Sequence, residues 1–341
     1  MASAVSRPLH IGAEVGGGAS VGGLVRLAEE GALDLVTLST AVGDAVGLLA
    51  RVAGETSGIG LVPTVTVTGA DPFVLQAAVA ELDRVSRGRA GWAVAVSAPA
   101  GASAAPAGAS ARELDRPEPA GSAEELWREA GAVVDVSTRL WDGRDPGVGA
   151  GDTSTGRFVD PGTVGRPVTV VDVSVCGADG LAVAAHYADV VIVRAHSPGE
   201  AGALRADLRR RAAVAGREPG ALRILAALTV DLAGEPLLHG PSYTETDPVR
   251  VGRGGAAEYT GGPVGLAQVL TRWHAADVVD GFHITPLSPE RDLERLVNGT
   301  VNLLQHHCLH RHFYAGATLR DHLGLRLPAA RRARSGAGKA V

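Results

Sequence analysis

Hydrophobic and polar residues follow two alternating patterns along this chain. Short runs rich in Val, Leu, Ile and Thr are each followed by a stretch whose apolar residues have helical spacing. The strand candidates are Leu9–Val15, Leu33–Thr40, Ile59–Thr68, Ala90–Ala98, Gly165–Val175, Asp189–Ala195, Ala221–Leu232 and Val278–Leu287. Eight β-then-α units predict an α/β protein with the (β/α)8 TIM-barrel fold.

A doubly wound open sheet is the alternative architecture for such a pattern. That fold usually carries G-x-G-x-x-G after its first strand, and the glycine-rich stretch GAEVGGGAS lacks this spacing. The barrel is therefore the favoured prediction.

Helix starts are marked by capping residues at two places. Asp71 followed by Pro72 has the pattern of an N-cap and a first helical residue. Ser122 and Glu125 have the spacing of a capping box. We expect helices to begin at both positions.

Segments rich in Ala, Pro, Gly and Ser interrupt the pattern at 99–121 and 142–162. Such compositions favour flexible loops. The basic end of the chain, 328–341, is expected to be disordered. We therefore expect one domain over 1–327 with two flexible insertions.

Composition excludes several classes of protein. The chain is 45% hydrophobic and 20% charged, which is enough for a sizeable core, and only 4% aromatic. A net charge of −5 offers no basic surface for nucleic acid, so none is expected as a partner. Two cysteines predict a reduced, cytoplasmic protein, and no apolar run approaches the roughly 20 residues of a membrane span.

The histidine-rich stretch HHCLHRH holds metal-ligand residue types. His306 and His310 would share a helix face with Cys308 nearby, which could bind zinc. The alternative is a set of solvated histidines at a helix end, where positive charge is favourable. Because the chain lacks a second ligand cluster, no metal is predicted.

Four stretches of the chain stand out as motifs: TSGIGLVPTVTVTGADPF, LDRVSRGRAGW, VDGFHITPLSPERDLERLVNGTVNLLQ and GATLRDHLGL. They resemble the luciferase-like monooxygenases, in the branch of the nitrilotriacetate and dibenzothiophene-sulfone enzymes. The resemblance implies a TIM-like barrel with reduced FMN, or alternatively F420, across the C-terminal mouth of its strands. It also implies a flavin reductase as partner, O2 and a small organic substrate, and a homodimer.

Candidate site residues follow from this resemblance and from the rule that barrel enzymes act at the C-terminal ends of their strands. Arg194 lies at such an end, and His283 is a candidate catalytic proton donor or substrate contact, with a structural role as the alternative. The cofactor-binding candidates are Ser39, Thr40, Thr68, Gly69, Ser97, Ser174, Cys176 and Gly177.

The third strand candidate ends in TVTVTGADPF, which makes Thr68 and Gly69 the most specific of these candidates. Thr68 occupies a position where relatives place a threonine beside the flavin, and a glycine lets a flat ring approach the backbone. The resemblance also implies a non-prolyl cis peptide at this strand end. The alternative is an ordinary strand face followed by a turn.

Residues after the fifth strand depart from the family pattern. Relatives have phosphate-binding serines where this chain has VCGADG, and Asp179 would either repel a phosphate or cap the helix. A second functional hypothesis is therefore a non-catalytic barrel paralogue that serves as a binding or assembly partner.

Overall fold

The structure, a computed structural model, describes residues 8–16, 21–39, 44–96, 122–142, 166–174, 177–234, 249–252 and 255–326. The expected insertion 99–121, nearly all of 142–162 and the tail 328–341 lie outside these ranges. The assignment of 1–327 to one domain therefore stays a prediction.

Eight parallel strands close into a barrel, which confirms the predicted fold. They follow one another in chain order, and the last pairs with both the first and the seventh. Their side chains are mostly Val, Leu, Ile and Ala, as expected for strands buried on both faces. The barrel strands are β1 His10–Glu14, β2 Leu35–Leu38, β3 Gly60–Thr66, β4 Gly91–Ala95, β5 Val168–Asp172, β6 Val190–Val193, β7 Arg223–Asp231 and β10 Gly281–Pro286.

Helices follow the strands and form the outer layer of the barrel. They are α1 Val21–Glu30, α2 Ala45–Val52, α3 Pro72–Ser86, α4 Ala123–Asp142, α5 Gly177–Tyr187, α6 Pro198–Val214, α7 Pro263–Ala275, α8 Pro289–Arg295, α9 Asn302–His306 and α10 Leu319–His322. None of the described helices is long and apolar enough to cross a membrane.

Both predicted helix starts are confirmed. The Asp71 carboxylate accepts a hydrogen bond from the Phe73 amide at 2.8 Å. The Ser122 amide donates to Glu125 at 2.8 Å. Helix α5 begins at Gly177, so Asp179 lies within its first turn and not at the N-cap position.

The loop rich in Gly and Arg before α7 contains structure that the sequence pattern did not predict. Strands β8 (Val249–Val251) and β9 (Ala257–Thr260) form an antiparallel pair. Strand β9 also pairs in parallel with the end of β7, which extends the sheet beyond the barrel. A π-helical segment, Leu296–Val301, joins α8 to α9.

The short helix α10 closes the N-terminal end of the barrel. Leu319 is fully buried and belongs to the apolar cluster that fills the barrel interior. A Cβ at Gly60 would lie 2.5 Å from the Leu319 side chain, and one at Gly91 would lie 3.4 Å from it. Glycines at the starts of β3 and β4 thus make room for the leucine, which leaves the C-terminal end as the open mouth.

Candidate functional site

Inward-facing side chains form layers inside the barrel, each contributed by alternate strands. Because the strands are tilted, a layer advances by about two residues for every two strands crossed. Following the pairings around the barrel gives two layers near the mouth. The floor layer comprises Glu14, Thr64, Asp172 and Ala227, and the lower layer beneath it comprises Thr37, Ala93, Ile192 and His283.

His283 lies in the lower layer and not at the mouth where the sequence placed it. Strand β10 continues past it to Pro286, so the side chain is covered and only 5% exposed. Its Nε2 is 2.8 Å from Thr37 Oγ1. Burial lowers the pKa of His283 to about 4, so the ring is neutral near pH 7 and a weak proton donor.

Two carboxyl groups occupy the floor layer. Glu14 accepts a hydrogen bond from the Thr285 hydroxyl at 3.2 Å, and Asp172 accepts one from the Ser174 amide at 2.8 Å. Burial raises the pKa of both carboxyl groups. The charge of Asp172 raises the pKa of Glu14 further, whereas Arg194 acts in the opposite direction on the pKa of Asp172.

Thr68 and Gly69 form the turn that follows β3. The strand ends at Thr66, two residues earlier than predicted, because the chain bends here towards α3. Thr68 is buried, Gly69 has φ +69°, and a Cβ on Gly69 would meet nothing within 4 Å. The Gly69 amide donates to Glu129 of α4 at 2.7 Å. The described residues contain no cis peptide bond, so that expectation was wrong for this strand end.

The other candidate cofactor residues are placed only in part. Ser39 follows β2 and Ser174 follows β5, so both lie at strand C-termini on the mouth side. Gly177 is the first residue of α5. Thr40, Ser97 and Cys176 lie outside the described residues.

The β8–β9 hairpin lies against the mouth beside β6. His196 Nε2 is 2.9 Å from the Gly255 carbonyl oxygen, and a Cβ on Gly255 would be 3.2 Å from the Arg194 guanidinium. The hairpin therefore covers the strand end that carries Arg194.

The histidine-rich stretch offers no metal site in the described part of the chain. His310 is buried, with Nδ1 2.9 Å from the Leu9 carbonyl oxygen and Nε2 3.1 Å from that of Ala32. Both ring nitrogens thus face backbone acceptors, while Cys308 is exposed. Within the described ranges, no group of three or more His, Cys, Asp or Glu side chains could hold a metal ion.

Sequence reasoning missed Glu14, Thr37 and Asp172. Their common signal is strand alternation, which places each at an inward position of β1, β2 or β5. Each ends or nearly ends an apolar run, where a polar residue is easily interpreted as the start of a loop. Glu14 and Asp172 share a layer because of the barrel register, and this could not be found from either strand alone.

Two characterised enzymes are similar to almost the whole chain. N-acetyl-S-(2-succino)cysteine monooxygenase of Bacillus subtilis (strain 168) is 24% identical, over 91% of this chain and 90% of its own length. Nitrilotriacetate monooxygenase component A of Aminobacter aminovorans is 26% identical, over 82% of this chain and 78% of its own length.

The fold has a close counterpart among solved structures. EDTA monooxygenase from Chelativorans sp. BNC1 superposes with a TM-score of 0.72 over 94% of this chain and 99% of its own, at 16% identity. The family model described as luciferase-like monooxygenase matches residues 3–235. On these matches and on its closed barrel of eight parallel strands, the chain belongs to the luciferase-like monooxygenase family.

Proposed function

We propose that this protein is a flavin-dependent monooxygenase that transfers one oxygen atom of O2 to a small organic substrate. The reduced cofactor, FMN or alternatively F420, would bind at the C-terminal mouth of the barrel. The observation that carries the proposal is the open turn at Thr68 and Gly69, beside a floor layer that holds ionisable groups. Family membership supports it, because fold alone does not establish chemistry.

The described residues fit the ring of a reduced flavin. Gly69 has no side chain and open space where its Cβ would be, so a flat ring can approach the backbone there. Thr64 and Thr66 lie at inward positions of β3, and Thr68 lies in the turn that follows, so their hydroxyls can donate to ring or ribityl oxygens. Ser39 and Ser174 add hydroxyl groups from β2 and β5.

Each part of the mouth has a role in this proposal. The bound reduced cofactor supplies the electrons that activate O2. Thr68 and Ser174 would bind and orient the ring, and Arg194 and Asp172 would supply charge at the same mouth. The β8–β9 hairpin, held in place by the His196–Gly255 contact, would help to exclude water and so limit side reactions of the activated oxygen.

A separate flavin reductase is the partner that we propose. Its support is the relative named as component A of nitrilotriacetate monooxygenase, a name that indicates a further component. The homodimer stays a prediction.

Oxygen transfer can be tested directly with 18O2. The protein is supplied with NADH, a flavin reductase and FMN, or with chemically reduced F420, and offered a panel of small carboxylates, thioethers and amines. The proposal predicts 18O from O2 in at least one product, and hydrogen peroxide as the product when substrate is omitted. A barrel that neither binds the reduced cofactors nor labels any compound would instead support the non-catalytic paralogue.

A further inference from the structure

The two carboxyl groups of the floor layer lie on opposite sides of the barrel. Glu14 ends β1 and Asp172 ends β5, and the other two members of the layer, Thr64 and Ala227, are small. The side chains of Glu14 and Asp172 are therefore the largest in the layer and extend towards its centre. Both are half-buried, so they can still be reached from the mouth.

The surroundings of the two acids differ in charge. Asp172 accepts the Ser174 amide hydrogen and interacts with the Arg194 guanidinium, both of which favour its ionised form. Glu14 accepts a hydrogen bond from the neutral hydroxyl of Thr285, and it experiences the negative charge of Asp172. A proton held between them therefore favours Glu14.

Other charged groups around the mouth leave this difference in place. His283, in the lower layer, is neutral near pH 7 because its burial disfavours the charged ring. Asp231, at the end of β7, is 2.6 Å from the Arg291 guanidinium, so these two rim charges offset one another.

We propose that Glu14 is a proton donor at the floor of the mouth and that Asp172 is the positioning residue that keeps it protonated. This inference rests on the proposed function. The reduced flavin supplies two electrons, one atom of O2 enters the substrate, and the other leaves as water. The O–H bond of Glu14 breaks as a new O–H bond forms on that departing oxygen, and the carboxylate regains a proton from solvent through the mouth.

The proton can be observed in the full chain without any cofactor. Carboxyl-13C-labelled protein is titrated by NMR, and the Glu14 signal is assigned by its loss in Glu14→Gln. We expect Glu14 to titrate above the ordinary value of a glutamate side chain, and Asp172→Asn to lower its midpoint. The asparagine retains an acceptor for the Ser174 amide, so the turn after β5 is preserved. Glu30→Gln, at the opposite end of the barrel, should leave the Glu14 midpoint unchanged.

Either of two results in this titration would overturn the inference. One is a Glu14 midpoint at the ordinary value of a glutamate side chain, and the other is a midpoint that Asp172→Asn does not lower. Circular dichroism melts confirm that each variant is folded. Because no cofactor is present, the outcome is independent of whether the proposed function holds.

A second readout uses the loaded protein. A donor must be protonated to act, so the turnover rate should fall on the alkaline side of the Glu14 midpoint. Glu14→Gln should remove this limb and lower the rate by roughly 10²–10⁴-fold, the usual contribution of general acid catalysis, with cofactor affinity nearly unchanged. A Glu14→Gln protein with the wild-type rate and the same alkaline limb would contradict the proposal. Absence of cofactor binding to the wild-type protein would count against the proposed function instead.

Discussion

Thr37 and His283 are 246 positions apart in the sequence and meet inside the barrel, with 2.8 Å between Oγ1 and Nε2. The bond joins β2 to β10 across β1, where Gly12 faces both strands. A Cβ on Gly12 would lie 2.9 Å from the Leu35 side chain and 3.5 Å from His283 Cδ2. The contact thus helps to hold the first and last strands of the barrel in register beneath the mouth.

Removal of the Thr37 hydroxyl should weaken this closure. Thr37→Val keeps the shape of the side chain but leaves a buried ring nitrogen without its partner, which should lower the free energy of unfolding by about 1–3 kcal/mol. Urea denaturation measures the change. Thr37→Ser retains the hydroxyl and should cost less than the valine, and the reverse order would refute a role for the hydrogen bond.

Stability should fall in mild acid because of His283. The folded protein holds the ring neutral with a pKa of about 4, whereas the unfolded chain has an ordinary value near 6.5, so the unfolded state binds more protons between these pH values. The contribution of the neutral ring to the free energy of unfolding is fully present above about pH 6.5. It is lost as the pH falls towards 4, and it amounts to about 3 kcal/mol.

Thermal melts from pH 7 to pH 4 test this dependence. His283→Gln removes the titrating group, so the variant should be less stable at pH 7 but should lose less stability than the wild type over that range. A variant with the wild-type slope would show that another group controls the acid response.

The N-terminal end of the barrel, which α10 closes, should be sensitive to side-chain size in both directions. Leu319→Ala should lower the free energy of unfolding by about 2–5 kcal/mol because it empties a fully buried site. Gly60→Ala should cost about 1–3 kcal/mol, since the new methyl group would meet Leu319 at 2.5 Å and the Asp34 carbonyl oxygen at 2.9 Å.

The two changes share a contact, so their effects should not add. Gly60→Ala should cost less in the Leu319→Ala background than in the wild type, as a double-mutant cycle by urea denaturation would reveal. Strict additivity would mean that the clash with the Asp34 carbonyl accounts for the whole effect.

Gly69 should tolerate a side chain poorly because of its backbone and not because of crowding. Its φ of +69° is left-handed, while its Cβ position is open. Gly69→Ala should therefore cost about 1–2 kcal/mol, and Gly69→Asn should cost less. Gly199→Ala, also in open space but within helix α6, is the matched control and should be neutral or stabilising.

Much of the fold could be predicted from local pattern, and the failures have physical causes. The eight barrel strands are detectable because each is a short apolar run followed by helical spacing. The β8–β9 hairpin was missed because its strands are short and carry polar residues such as Arg250 and Glu258. Thr68 was assigned to a strand because the alternation of β3 continues past the last strand residue.

The site was less accessible to sequence reasoning than the fold. Ser39, Ser174 and Thr68 are predicted because they follow strands, which is a local property, and their role in cofactor binding stays a prediction. Two features depend on how the tilted strands are staggered around the barrel. They are the position of His283 below the mouth and the placement of Glu14 and Asp172 in the same layer. That stagger is set by strand pairings between residues far apart in the sequence. Local sequence patterns carry no information about these pairings.

The most direct test of the central claim is an anaerobic titration of the purified protein with reduced FMN and, separately, with reduced F420, followed by calorimetry. We expect saturable, low-micromolar binding of one of them. Thr68→Val should weaken this binding about fivefold, the value of one hydrogen bond of about 1 kcal/mol, and Glu30→Gln should leave it unchanged. Absence of saturable binding for both cofactors in the folded wild-type protein would contradict a flavin site at this mouth.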